Sequence, residues 1–214
     1  MTGISTILWD VGGVLLTNAW DRRERDAVLA RFSLDRADFE LRHAGVAEPW
    51  ERDEVSVDEY LRRTVFFQPR PFSQTEFLDA IRAESVLLAD SALRIVRQLA
   101  ASEQYVLATV NNESRALNEY RLKKFGLSEF FAAFFTSCYL GVRKPDRRIY
   151  QIALDVLERD PEDVAFVDDR PENVAAAVSL GIHGIRYQGT AQLAEDLGRL
   201  GISLERDGVD LLRA

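Results

Sequence analysis

The chain is 214 residues long, 47% hydrophobic and 29% charged, and carries a formal net charge of −8. That is enough chain to bury a sizeable core, and the acidity argues against a nucleic-acid or anionic-membrane surface while leaving room for an anionic small molecule beside a local cation. Cys138, the single cysteine, excludes an internal disulfide and a thiolate metal cage; no apolar run has bilayer length and the start lacks a signal-peptide layout, so a soluble cytoplasmic chain, monomer or homodimer, is expected.

The first element is Ile7–Asn18, ILWDVGGVLLTN. Three apolar residues leading into Asp10 and two glycines read as a buried parallel strand with a carboxylate at its C-terminal tip. A turn-capping role for Asp10 is the plainer alternative. From about Asn18 to Glu84 the periodicity becomes helical, with Val28, Leu29, Phe32, Phe39, Leu41, Tyr60, Leu61, Val65, Phe77, Leu78 and Ile81 as the apolar positions. Ser56 with Glu59, and Ser73 with Glu76, have capping-box spacing, and QPRPF at 68–72 breaks the pattern as a loop would. We expect a helical subdomain over residues 18–86, inserted into a core made of 1–17 and 87–214.

Strands then alternate with helices. Helix 91–101 precedes strand 105–110 (YVLATV); helix 114–125 is closed by Gly126; a short strand covers 134–137. After a loop at 140–145 come helix 146–157, the strand VAFV at 164–167 ending in Asp168 and Asp169, and a helix from Pro171 to Gly181. Strand 182–186 and helix 191–200 complete the pattern. This alternation predicts an α/β fold, a Rossmann-like doubly wound parallel sheet, with the helical insertion as a second, smaller part.

Four polar groups fall at or just after strand ends: Asp10; Thr109 with Asn111 and Asn112; Arg143 with Lys144; and Asp168 with Asp169. Parallel connectivity brings such ends to one edge of the sheet. Carboxylates without cysteine or histidine point to a hard, oxygen-bound cation, and Mg²⁺ fits best. A helix N-cap accounts for one of the paired acids but not for both together with Asp10. Lys144, otherwise a solvated surface charge, would beside such a cluster hold a phosphoryl oxygen. The Thr109 hydroxyl could donate to the same group, although buried strand threonines more often bond backbone.

With these residues in view, the sequence resembles the haloacid dehalogenase-like hydrolase superfamily over essentially its whole length. WDVGGVL carries Asp10 at the family's nucleophile, LATVNN carries Thr109 at its phosphoryl-binding hydroxyl, and GVRKPD carries Lys144 at its lysine. VDDRPENV places Asp169 at the metal ligand with Asp168 in support, and Asn173 at a further polar position. The insertion is similar to the family's four-helix (C1-type) cap. The combination looks most like the branch of bacterial sugar-1-phosphatases and the phosphatase domain of soluble epoxide hydrolase.

The resemblance implies a Mg²⁺-dependent phosphomonoester hydrolase acting through an aspartyl-phosphate on a small phosphorylated metabolite such as a sugar phosphate. It implies Asp10, Thr109 and Lys144 as the catalytic set, and Asp10, the Gly12 carbonyl, Asp169 and Asp168 as the metal set. Around the substrate it implies Thr109, Asn111, Asn112, Lys144, Gly12 and Gly13. Trp20, Arg22, Arg23, His43 and Trp50 are candidates for reading the leaving group, with packing or surface charge as the plainer role of each.

One departure stands out. Most phosphatases of the family carry an aspartate two residues after the nucleophile as general acid, and here that residue is Gly12. General acid catalysis contributes typically about 10²–10⁴-fold, so ester oxygens of low basicity should suffer least from its loss. Two alternatives follow from the same residues: a 2-haloacid dehalogenase-type hydrolase, against which the intact VDDRPEN argues, and a non-catalytic phospholigand-binding protein.

Overall fold

Strand β1, Thr6–Trp9, lies at the centre of a five-stranded sheet and is buried along its whole length. A strand covered on both faces has no need of alternating polarity, which is why this run reads as continuously apolar. The computed structural model describes residues 3–204. The other strands are β2 (Val106–Asn111), β3 (Ala133–Thr136), β4 (Val164–Asp168) and β5 (His183–Arg186), in the order β3-β2-β1-β4-β5. All pairings are parallel. The chain winds outward from β1 through β2 to β3, then crosses back to β4 and β5. The order therefore reverses at β1, and the crevice beyond the strand ends at such a reversal is where open α/β sheets receive ligands.

Both faces of the sheet are filled, as the doubly wound expectation requires. Ile7, Trp9, Leu107, Ala165 and Val167 pack against α6 (Leu93–Ser102) and α11 (Thr190–Arg199). Leu8, Ala108, Val110 and Phe166 pack on the other face against α9 (Arg147–Leu157) and α10 (Pro171–Val178). α7 (Arg115–Phe125) ends on Gly126 at φ 60°, a left-handed turn in which glycine avoids the Cβ penalty.

Residues 22–83 contain α1 (Arg22–Arg31), α2 (Arg36–Ala44), α3 (Ala47–Glu51), α4 (Val57–Thr64) and α5 (Gln74–Ala83). They enclose their own apolar cluster, in which Trp20 meets Phe39 and Phe77 edge-on and Trp50 stacks on Tyr60 at 3.9 Å. The Ser73–Glu76 capping box is complete. At α4 only half of it forms, because Ser56 accepts from Glu59 N–H while the Glu59 carboxylate turns to Arg62 and Arg63. The two chain passages between this cluster and the sheet run side by side: Thr17 N–H donates to Val86 O at 2.9 Å, and Leu16 bridges Leu87.

Several expectations need correction. β2 runs one residue beyond Val110, to Asn111, and this changes which side chains reach the sheet edge. Ser137–Leu140, expected to end a strand and begin a loop, is a single helical turn (α8), and α10 stops at Val178 rather than Gly181. Leu41 is 80% exposed, so it does not belong to the apolar face of α2.

Candidate active site

The sheet register sets the site. Trp9 pairs with Val167, so Asp10 and Asp168 stand level, one residue past that pair. Asp10 N–H still donates to Val167 O at 2.8 Å, which ties the acid to its neighbour strand. Lys144 sits between the two acids, its ammonium 2.8 Å from Asp10 Oδ1 and 2.6 Å from Asp168 Oδ2, with its side chain 1% exposed. Asp168 is fully engaged: Lys144, the Asn173 amide and Arg170 N–H all donate to it. Tyr150, 23 residues upstream in the chain, donates in turn to Asn173 O and steadies that turn from below.

Asp169 completes the group. One ligand oxygen from each of Asp10, Asp168 and Asp169 lies within 4.8 Å of the others. Gly13, at φ 73°, is the residue that lets Asp169 come this close, since a Cβ there would stand 2.2 Å from Asp169 Oδ2. Burial pushes the Asp10 carboxyl up to about 7 against the pull of Lys144, and the neighbouring acids push the same way. Burial followed by the charge of Asp168 raises Asp169 too. For Lys144, burial works to lower the pKa and the two carboxylates outweigh it, so it rises and stays an ammonium. Three acids against Lys144 and the neighbouring Arg170, which is also paired with Asp21, leave negative charge uncompensated. Asp169 Oδ1 is moreover buried without a hydrogen-bond partner among the described residues. An all-oxygen donor set with an unpaired carboxylate oxygen fits a hard divalent cation.

Above the acids lies a cavity of about 490 Å³ between the strand ends and helices α1–α3. Asp10, Gly12, Asn111, Asn112 and Lys144 line it. Thr109 does not: it is 1% exposed and its hydroxyl has no partner among the described residues. The polar residue that β2 presents to the cavity is Asn111, two residues and so about 6.6 Å farther along the strand, on the same face as Thr109. Thr109 is therefore corrected from a cavity-facing donor to a core residue. Asn112 is also redirected: its amide N–H₂ donates to Lys144 O at 2.9 Å and its oxygen accepts from Lys144 N–H at 2.8 Å, clamping the lysine's backbone. Gly13 supports Asp169 rather than lining the cavity.

Among the leaving-group candidates, Trp20, His43 and Trp50 line the cavity, whereas Arg22 and Arg23 are exposed elsewhere. Sequence reasoning missed Tyr60, which joins two of them. Trp20 Nε1 can only donate, so the Tyr60 oxygen accepts from it at 2.6 Å, and the same hydroxyl is hydrogen-bonded to His43 Nδ1 at 2.7 Å. One hydroxyl thereby ties His43 to Trp20. Burial, helped by Arg25, lowers the His43 pKa from 6.5 to about 4. A depressed pKa contributes stability that is complete above 6.5 and is lost as pH falls through 4. We expect about 1–2 kcal/mol of this pH-dependent loss to be absent from a His43→Gln variant, the ring's partial solvation reducing the full effect. Urea melts of both proteins across that range check it.

Other polar residues at the cavity were hidden from the sequence by their distance along the chain. Arg121 pairs with buried Glu113 at 2.7 Å and donates to Thr17 O. Arg143 pairs with Glu48 and Glu51, and Arg170 with Asp21. The one available signal was Leu117, Asn118 and Arg121 falling on one face of α7, which put polar groups at core-facing spacing.

A doubly wound parallel sheet with three acids and a buried lysine at its switch point defines an α/β protein whose chemistry sits on the sheet edge. The chain belongs to the haloacid dehalogenase-like hydrolases, whose family model matches residues 4–181. It is 31% identical to flavin mononucleotide hydrolase 1 of Arabidopsis thaliana over 167 residues, 78% of this chain and 66% of that protein. It is 34% identical to bifunctional epoxide hydrolase 2 of Rattus norvegicus over 74 residues, 35% of this chain. The chain thus spans just under two thirds of the plant relative and 13% of the rat one. In fold it is similar to a family enzyme from Bacteroides thetaiotaomicron solved with magnesium and inorganic phosphate (TM-score 0.75, 20% identity, 87% of this chain and 96% of that one). Among the described residues no helix is long and apolar enough to cross a membrane.

Proposed function

We propose that this chain is a Mg²⁺-dependent phosphomonoester hydrolase acting through an aspartyl-phosphate on Asp10. The observation that carries the reading is the convergence of Asp10, Asp168 and Asp169 within 4.8 Å around a buried lysine. Asp10, Asp169 and the Gly12 carbonyl are the groups that would hold the cation, with Asp168 in support. Bound there, Mg²⁺ supplies charge neutralisation between the nucleophile and the phosphoryl oxygens.

The chain's own residues do the rest. Asp10 attacks phosphorus with a carboxylate oxygen while the bond to the ester oxygen breaks. Lys144 is held by Asp168 and by the Asn112 clamp, so its charge meets the phosphoryl oxygens without reorganisation. Asn111 takes the donor role that Thr109 was expected to fill, its amide facing the cavity. Water then attacks the aspartyl-phosphate, which releases phosphate and restores Asp10.

Residues 18–86 act in this reading as a cap that encloses the leaving group. Its ties to the core include the partly exposed ion pairs Arg115–Asp53 and Arg170–Asp21, each worth about 0–1 kcal/mol, beside the pairing of Arg143 with Glu48 and Glu51 and the packing of Leu117 in the cap's apolar cluster. The polar cavity, lined by Lys144 and Asn111, suits a small phosphorylated metabolite such as a sugar phosphate. Flavin mononucleotide, a primary alkyl phosphate, belongs in any substrate panel because of the plant relative, as a measure of how basic a leaving oxygen the site accepts.

Release of p-nitrophenol from p-nitrophenyl phosphate, dependent on Mg²⁺ and stopped by EDTA, is the expected result. Metal-independent chloride release from 2-chloroacids would instead establish the dehalogenase. Phosphate-ester binding with no turnover would establish a binding protein.

A further inference from the structure

Gly12 lies two residues after Asp10, and the space its side chain would occupy is already taken. A Cβ built on Gly12 would lie 2.6 Å from the carboxamide oxygen of Asn18. Asn18 lines the cavity, is half-buried, and its side-chain amide makes no hydrogen bond among the described residues. Most other acids of the cavity wall are committed to arginines. Asp21 pairs with Arg170, Glu48 and Glu51 pair with Arg143, and Glu113 pairs with Arg121, while Glu172 is exposed on the first turn of α10.

We infer that Asn18 is the residue facing the ester oxygen that leaves, and that it confines this chain to phosphoesters of weakly basic oxygens: aryl, enol or anomeric phosphates rather than simple alkyl ones. The inference rests on the phosphatase reading and deepens it. A carboxamide can donate a hydrogen bond but cannot surrender a proton at neutral pH. As the bond from phosphorus to the ester oxygen breaks, its electron pair stays on that oxygen. Asn18 N–H steadies the developing charge, and the proton comes from water. One neutral hydrogen bond is worth about tenfold in rate, against about 10²–10⁴-fold for a general acid. The barrier therefore follows the stability of the leaving anion.

The test is the slope of log kcat/KM against leaving-group pKa over a series of substituted phenyl phosphates, extended to an alkyl phosphate, with Mg²⁺ present. A steep negative slope is expected for the native chain. Asn18→Ala should lose about tenfold on phenyl phosphate and far less on a dinitrophenyl ester, so the slope steepens. Gly12→Ala should shift the slope in the same direction by displacing the Asn18 amide. Thermal denaturation of each variant separates these effects from loss of fold, and Asn18→Gln gives a second replacement that keeps the amide.

Turnover with a slope that Asn18→Ala and Gly12→Ala leave unchanged overturns the inference while the phosphatase reading stands. So does a slope that moves with Glu51→Gln or Glu172→Gln instead. Absence of turnover on every ester overturns the reading, and the inference with it.

Discussion

Asp10→Asn should abolish turnover, by a factor of at least about 10⁴, while leaving the fold intact. Removal of a nucleophile that acts as part of a unit typically costs as much as removal of the whole unit, and an amide nitrogen or oxygen cannot take over the attack on phosphorus. Stability should change by less than about 1 kcal/mol. The asparagine oxygen can still accept from Val11 N–H, as Asp10 Oδ1 does at 2.8 Å, and Lys144 keeps Asp168 as its partner. Loss of a charge that burial and two neighbouring acids already disfavour offsets the weakened contact to Lys144. Steady-state rates and a urea melt check both parts. A mass shift of one phosphoryl group after acid quench, present in the native chain and absent from the variant, checks the intermediate itself. A variant with more than about one percent of native activity would contradict Asp10 as nucleophile.

Lys144→Met should cost both activity and stability. The side chain is similar in length and fits an enclosed site, so the loss isolates the charge. Asp168 is completely buried and Asp10 nearly so, and each would be left facing the other without a cation. Breaking a buried pair by removing one partner typically costs about 3–5 kcal/mol, because the remaining charge stays desolvated. The rate should fall by about 10²–10³-fold or more, the usual effect of removing one preorganised donor to developing charge. Denaturant unfolding with and without Mg²⁺ is the informative measurement. The variant should gain more stability from the ion than the native chain does, since the ion then replaces the neutralisation that Lys144 supplied. Equal stability of variant and native chain would mean that Lys144 is not holding the acids together.

Much of this architecture was legible before any coordinates. Strands buried on both faces must be apolar throughout, so ILW and VAFV announced themselves, and the acids that end such runs marked the sheet edge. Local chemistry was equally readable where it depends on a few adjacent residues. The Ser73–Glu76 box and the Gly126 terminus fall where spacing placed them. The same local reasoning failed at the end of β2. Whether a strand stops at Val110 or Asn111 is decided by its pairing with Thr136 of β3, which no local pattern encodes. That single residue separates a cavity-facing Asn111 from a core Thr109.

The sequence by itself determined the alternation of strands and helices in the core, the polar residues carried at the strand ends, and the glycine two residues after Asp10, because each follows from the identity of residues close together in the chain. Only the tertiary structure decided that Asn112 clamps the backbone of Lys144, that Tyr60 joins His43 to Trp20, and that Asn18 fills the place beside Gly12. Those contacts join residues 6 to 40 positions apart, and their geometry depends on how separate elements pack, which linear spacing does not specify.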